Sequence, residues 1–320
     1  MTQPSLAELE RAADFIHRAM PPTPQYCWPL LSQRCGAEVW VKHENHTPIG
    51  AFKVRGGLVF LDAWRREHPN APGLITATRG NHGQSIGFAA KRAGVEATIV
   101  VPHGNSVEKN AAMAALGVRL IEHGEDFQDA AEYAAERAEA DGLARLPSFD
   151  PLLVRGVGTY GLELFRAVDD LDAVYVPIGL GSGICGMIAA RDALGLKTEI
   201  VGVVAEGAPC YALSFQAGRA VPTNRADTMA DGMACRTPEP AAVDIIVRGA
   251  SRVVTVSDEE IMAAMRHFFT DTHNVAEGAG AAPLAALLQE REAMQGRRVG
   301  LILSGGNIDR PVYQEILSQG

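Results

Sequence analysis

Apolar residues along this chain follow two alternating patterns. Residues 73–78, 97–101, 118–121, 173–177, 200–205, 252–256 and 299–303 are short, nearly continuous apolar runs, the pattern of strands buried on both faces. Between and after them, residues 81–93, 106–116, 125–141, 157–168, 184–194, 257–270 and 279–295 carry apolar positions at helical spacing. Ahead of this series, residues 37–42 alternate like a strand. Ser5-Leu6-Ala7-Glu8 has the capping-box pattern and opens a helix with Leu6, Leu9, Ala13 and Ile16 on one face. Strand and helix alternating at this pitch predict an α/β fold of parallel strands joined by right-handed crossovers. Residues 144–151 read as the seam between two such series, and no internal repeat or low-complexity linker interrupts them.

Composition narrows the class. At 320 residues the chain is long enough for two compact units, and 47% hydrophobic against 21% charged residues fits a globular protein. The formal net charge of -9 argues against nucleic acid as a partner. Cys27, Cys35, Cys185, Cys210 and Cys235 are odd in number and form no C-x-x-C pair, so they read as reduced thiols of a cytoplasmic protein. No stretch has the length and apolarity of a membrane span, and the first twenty residues do not have the pattern of a signal peptide.

Chemistry concentrates where strands end. In Gly50-Ala51-Phe52-Lys53-Val54-Arg55-Gly56-Gly57 a lysine sits among apolar residues and glycines. Enclosed, it would be a nucleophile with its amine held neutral; solvated, it would only begin a helix running toward Trp64. Gly179-Leu180-Gly181-Ser182-Gly183 follows a strand and opens a helix, a geometry that presents backbone N–H groups to a phosphate or simply makes a tight turn. It lacks the six-residue dinucleotide fingerprint, which makes a nicotinamide cofactor a poor fit. Thr78-Arg79-Gly80-Asn81-His82 repeats the strand-loop-helix geometry, with Asn81 also placed to cap the helix. Two such loops suggest two anions. Ser304-Gly305-Gly306-Asn307 follows the last apolar strand, where a plain strand-to-helix turn is the simpler reading.

Taken in order, these four motifs resemble the pyridoxal-phosphate enzymes of the threonine dehydratase and serine racemase family, over about Thr23 to Asp309. The resemblance implies a fold-type II, tryptophan synthase β-like architecture of two open twisted parallel-sheet domains. The large domain would comprise residues 1–47 plus 147–320, the small inserted domain residues 48–146, with pyridoxal 5'-phosphate in the cleft between them. It further implies that Lys53 carries the cofactor and moves the α-proton, with Phe52 against the ring. Gly179, Leu180, Gly181, Ser182 and Gly183 would cup the phosphate, although the family's dehydratases usually have four consecutive glycines there. Ser304 would meet the ring nitrogen and Asn81 the ring hydroxyl oxygen. Thr78, Arg79, Gly80, Asn81 and His82 would hold the carboxylate of an amino-acid substrate. Thr228 to Gly232 and Glu277 to Ala281 resemble two further family segments near the cofactor. Glu206 matches the first ligand of a divalent-cation site, but residues 207–212 supply no second carboxylate, so no metal is expected.

The activity implied is β-elimination from a β-hydroxy amino acid, giving a 2-oxo acid and ammonia. Alternatives within the resemblance are an amino-acid racemase and a β-replacement transferase of the cysteine synthase type. Arg79 stands where racemases of the family have serine. An arginine stays protonated and is a poor base, so racemisation is disfavoured, and pairing with a second carboxylate, as in 3-hydroxyaspartate, or with a surface acid are the open roles. Serine, threonine and phenylserine are the other substrates in view. A homodimer is implied. The chain ends shortly after the Asn307 motif, which sets the expectation of no C-terminal regulatory domain and a catabolic role.

Overall fold

Two sheets organise the chain, a computed structural model of which describes residues 2–319. The strands are β1 (Gln25–Cys27), β2 (Glu38–His43), β3 (Gly73–Ala77), β4 (Glu96–Val101), β5 (Arg119–Glu122), β6 (Ala144–Arg145), β7 (Ala173–Pro177), β8 (Glu199–Ala205), β9 (Arg252–Val256) and β10 (Arg298–Leu303). The helices are α1 (Leu6–Ile16), α2 (Pro29–Cys35), α3 (Lys53–Glu67), α4 (Asn81–Ala93), α5 (Val107–Ala115), α6 (Phe127–Asp141), α7 (Pro151–Ala167), α8 (Ser182–Ala193), α9 (Cys210–Ala217), α10 (Pro240–Gly249), α11 (Asp258–Thr272), α12 (Gly278–Gln289) and α13 (Arg310–Ser318).

The larger sheet runs β1-β2-β10-β7-β8-β9 and the smaller one β5-β4-β3-β6. All pairings are parallel except that of β1 with β2. The expected parallel α/β sheets are what the chain builds, with β1 added antiparallel at one edge of the larger. β1 is three residues long, too short to show alternation, and pairs at the sheet edge, where an antiparallel strand needs no crossover.

Apolar runs become strands here because helices cover both faces of the large sheet. Along β7, Ala173 and Tyr175 face the core built on α2, α11 and α12, while Val174 and Val176 face the one built on α7 and α8. Other boundaries moved. The helix read from 157 begins at Pro151, because Asp150 accepts the Leu152 N–H at 2.7 Å and the proline stands at the first helical position. The two-residue β6 lies in the stretch read as a seam, and α12 stops at Gln289 rather than 295.

Helix α3, whose first residue is Lys53, packs on both α4 and α7. Its crossing with α7 is backbone against backbone: a Cβ added at Gly156 would stand 2.3 Å from the Arg55 carbonyl oxygen and 2.8 Å from Gly56 Cα. No flexible side chain is there to yield. Gly156→Ala therefore pushes α3 away from α7 and is expected to destabilise the fold by about 1–3 kcal/mol, the usual range for overpacking. A urea melt measures it, and an unchanged midpoint would remove the close crossing from the account.

The same junction buries a charge network. Arg55 on α3 donates through Nε and Nη2 to both oxygens of Glu44, at 2.7 and 2.9 Å, and through Nη1 and Nη2 to both oxygens of Glu163 on α7, at 2.6 and 2.8 Å. Lys42 of β2 joins at 2.7 Å from Glu163. Arg55, Glu44 and Lys42 are wholly buried.

Candidate active site

A cavity of about 570 Å³ opens between the ends of the two sheets, lined by segments of both. Every residue expected at a cofactor or substrate site lines it: Phe52, Lys53, Thr78, Arg79, Gly80, Asn81, His82, Gly179, Leu180, Gly181, Ser182, Gly183 and Ser304. A second hollow of about 470 Å³ lies beyond the small sheet, between Glu96 and Arg137; none of the four motifs lines it, so the chemistry belongs to the first.

Lys53 begins α3, and its Nζ donates to Ser182 Oγ at 3.2 Å and lies 5.1 Å from the centre of the Phe52 ring. Among the described residues no carboxylate pairs with the amine. Loss of hydration brings it down to about 8 from 10.5. The residue as a whole is half-buried, since one side of the chain opens on the cavity. The solvated surface lysine considered from sequence alone is therefore not what the fold builds. Ser85 Oγ on α4 fixes the Lys53 carbonyl at 2.6 Å, packed so tightly that a Cβ at Gly57 would be 2.2 Å from it.

The glycine loop leads from β7 into α8. Gly181, at φ 101°, takes the left-handed turn that a larger residue would resist. Among the described residues, the N–H groups of Ser182, Gly183 and Ile184 meet no acceptor, as the first turn of a helix leaves them. Two buried tyrosines brace the loop from behind. Tyr160 donates to the Gly183 carbonyl at 2.7 Å and Tyr211 to the Leu180 carbonyl at 2.8 Å. Nothing in the local sequence pattern marked either tyrosine.

Across the cavity, Thr78 Oγ1 accepts the Gly80 N–H at 3.0 Å. Asn81 is the first residue of α4, yet its side chain does not cap the helix: Nδ2 donates to Glu277 Oε1 at 2.7 Å and Oδ1 accepts from Asn307 Nδ2 at 2.8 Å. His82 is buried with Nε2 unpartnered among the described residues, and burial together with the nearby Lys53 charge holds it down to about 3. A neutral imidazole with so low a proton affinity is a poor base. Arg79 is exposed at the mouth and has no ion-pair or hydrogen-bond partner among the described residues. Ser304 follows β10 and is 4% exposed at the cavity wall; its hydroxyl has no partner among the described residues, while its carbonyl accepts the Phe52 N–H at 3.0 Å.

Glu277 is the acid that its resemblance to a family segment hinted at without assigning a role. It is buried at the start of α12, and burial pushes its carboxyl up to about 7 despite Lys109 nearby. Lys109 of α5 pairs with Asp231 at 2.5 Å. Glu206 stands exposed after β8, and no group of three potential metal ligands occurs among the described residues. No helix among them is long and apolar enough to cross a membrane.

A family model described as pyridoxal-phosphate dependent enzyme matches residues 16–305. The chain is 33% identical over 292 residues to the L-threonine ammonia-lyase of Thermotoga maritima, covering 91% of this chain and 72% of that one. It is 32% identical over 320 residues to the L-threo-3-hydroxyaspartate ammonia-lyase of Saccharomyces cerevisiae, covering 99% and 98%. Among solved structures, a pyridoxal 5'-phosphate-dependent aspartate racemase superposes with a TM-score of 0.90 at 28% identity, covering 97% of each chain.

Proposed function

The chain belongs to the pyridoxal-phosphate dependent enzyme family, and on that premise we propose that it deaminates a β-hydroxy amino acid to a 2-oxo acid and ammonia. One observation carries the reading: the Lys53 amine, desolvated and paired with no carboxylate among the described residues, lines the same cavity as the glycine loop and Ser304. The residues present fit the cofactor. Unpaired first-turn N–H groups of α8 suit a phosphate, and the unpartnered Ser304 hydroxyl suits a ring nitrogen. In this reading Lys53 and Phe52 hold the cofactor with residues 179–183, Ser304 and Asn81. When bound, pyridoxal phosphate supplies an electron-poor ring that draws off the electrons of the broken Cα–H bond.

The chain's own residues do the rest. The Thr78 to His82 loop holds the α-carboxylate with the N–H groups of Arg79, Asn81 and His82, at the N-terminus of α4. Lys53, near pH 8 in its proton affinity, takes the α-proton. The β-hydroxyl leaves with a proton as water, and one water returns as the carbonyl oxygen of the 2-oxo acid when ammonia departs. We take residues 1–47 plus 147–320 as the large unit and 48–146 as the inserted one, supported by the small sheet lying wholly within 73–145. The reduced-cysteine pattern and the family resemblance support a cytoplasmic homodimer.

For the substrate, the free Arg79 guanidinium at the mouth supports a second carboxylate, and 3-hydroxyaspartate is the amino acid that supplies one beside a β-hydroxyl. Cofactor-loaded protein offered L-serine, L-threonine, threo- and erythro-3-hydroxyaspartate and 3-phenylserine should release 2-oxo acid fastest from one hydroxyaspartate isomer. Arg79→Gln should lower kcat/KM for that substrate about tenfold more than for threonine, since one charge-assisted contact is lost. Equal losses on both would return Arg79 to the surface. Recovered substrate with deuterium at an inverted α-carbon, and no 2-oxo acid, would overturn the elimination reading.

A further inference from the structure

Asn81, Asn307 and Glu277 form a hydrogen-bond chain whose direction is set from its Asn307 end. Asn307 Nδ2 donates to the Ile49 carbonyl at 2.8 Å and to Asn81 Oδ1 at 2.8 Å, so both of its N–H bonds are committed. Its Oδ1 packs against Gly50, where a Cβ would come within 2.6 Å. Asn307 can present only N–H to Asn81, and Asn81 must answer with its oxygen. On the other side, with its oxygen so engaged, Asn81 offers Nδ2 to Glu277 Oε1 at 2.7 Å, and that oxygen accepts. One N–H of Asn81 is left over, and Asn81 lines the cavity.

We propose that Glu277 and Asn307 are positioning residues that lock the Asn81 amide with its remaining N–H presented to the cofactor's ring oxygen. The proposal rests on the reading that Asn81 faces that oxygen, and it assigns the orientation to two residues 196 and 226 positions away in sequence. Glu277 is itself held. Its second oxygen has no hydrogen bond and lies 3.6 Å from Lys109 Nζ, which Asp231 engages at 2.5 Å. An asparagine without these partners would flip between presenting an acceptor and a donor. Against an oxygen that accepts, only the donor binds.

The test compares two cofactors on apo-protein with no substrate present. Pyridoxal phosphate and 3-deoxypyridoxal phosphate differ only in the ring oxygen that Asn81 would meet. Absorbance titration of the unaltered protein should give pyridoxal phosphate the lower Kd by about tenfold, the worth of one well-formed hydrogen bond. The ring oxygen's own bond to the imine nitrogen adds to that ratio in every variant, so Asn81→Ala should lower it about tenfold, to what that internal bond alone leaves. Glu277→Met fills the volume, offers no carboxylate acceptor and leaves the Lys109–Asp231 pair; it should lower the ratio by about three- to tenfold from that of the unaltered protein. Asn307→Leu, which removes the partner of the Asn81 oxygen, should do the same and serves if Glu277→Met does not fold. General damage would weaken both cofactors together and leave the ratio as in the unaltered protein, which overturns the proposal. If instead Asn81→Ala keeps the ratio, the placement of Asn81 against the ring oxygen fails, and the positioning role falls with it. Loss of the ratio in Asn81→Ala with full retention in Glu277→Met and Asn307→Leu sinks the positioning role alone.

Discussion

Replacing Lys53 by alanine is expected to lower turnover by about 10⁴-fold or more. The residue serves twice in the proposed reaction, as the anchor of the cofactor and as the base at the α-carbon, and a positioned base alone contributes up to about 10⁴. No neighbour is placed to replace it. His82 is held down to about 3 and binds a proton too weakly, and Arg79 stays protonated. Ser182, the one side chain hydrogen-bonded to the amine, offers only a hydroxyl. Borohydride treatment followed by mass measurement supplies an independent readout: cofactor mass should be fixed on the unaltered chain and absent from Lys53→Ala. Turnover within tenfold of the unaltered protein would end the assignment of Lys53 as the base.

How much of this was legible in the sequence differs between the sheets and the site. Strand β7 falls where its apolar run places it, because a parallel strand covered on both faces leaves a continuous apolar signature; β9 matches its bounds as well, although it lies at the sheet edge and only Val256 in it is buried. Helix α4 matches its predicted bounds because a glycine at each end punctuates it, Gly80 before and Gly94 after. Helix α9 went unread: Cys210, Tyr211, Ala212 and Ser214 are buried together and its sequence shows little contrast between faces. Helix α10 carries a start signal in Pro240 at its first turn, but no side-chain cap before it sharpens the boundary. β1 gives three residues and no periodicity to find.

At the site, glycine loops and a lysine between them announce themselves because chain neighbours make them up. The partners that orient them do not. Glu277 reaches Asn81 from 196 residues away, and Tyr160 reaches the Gly183 carbonyl from 23. Such contacts exist only after two sheets have brought their strand ends to one cavity. A single chain offers no pattern that pairs them, so the sequence names the groups that do chemistry and leaves silent those that hold them in place.

The charge network under α3 belongs to that silent class, and Arg55→Met tests it. Methionine matches much of the apolar volume of the arginine stem and removes the guanidinium that both Glu44 and Glu163 accept from. Lys42 then remains as the one wholly buried cation against two carboxylates. Taking away one partner of a buried pair leaves an uncompensated charge, which destabilises by about 3–5 kcal/mol, or roughly 10 °C in Tm for a chain of this kind. The pH dependence separates this cause from lost packing. Burial alone would raise the Glu163 carboxyl, but the charges and hydrogen bonds of Arg55 and Lys42 outweigh it and bring it down to about 2 from 4.5. A folded-state value below the unfolded one contributes stability that is full above about 4.5 and is lost as pH falls toward 2. Arg55→Met gives up most of that contribution. Its deficit should be largest near pH 7 and should narrow at pH 3, where the unaltered protein is losing the same contribution. Urea melts of both proteins at the two pH values measure it. A deficit that stays constant would assign Arg55 to packing, and the bridge from Lys53's helix to α7 would then rest on the Gly156 crossing alone.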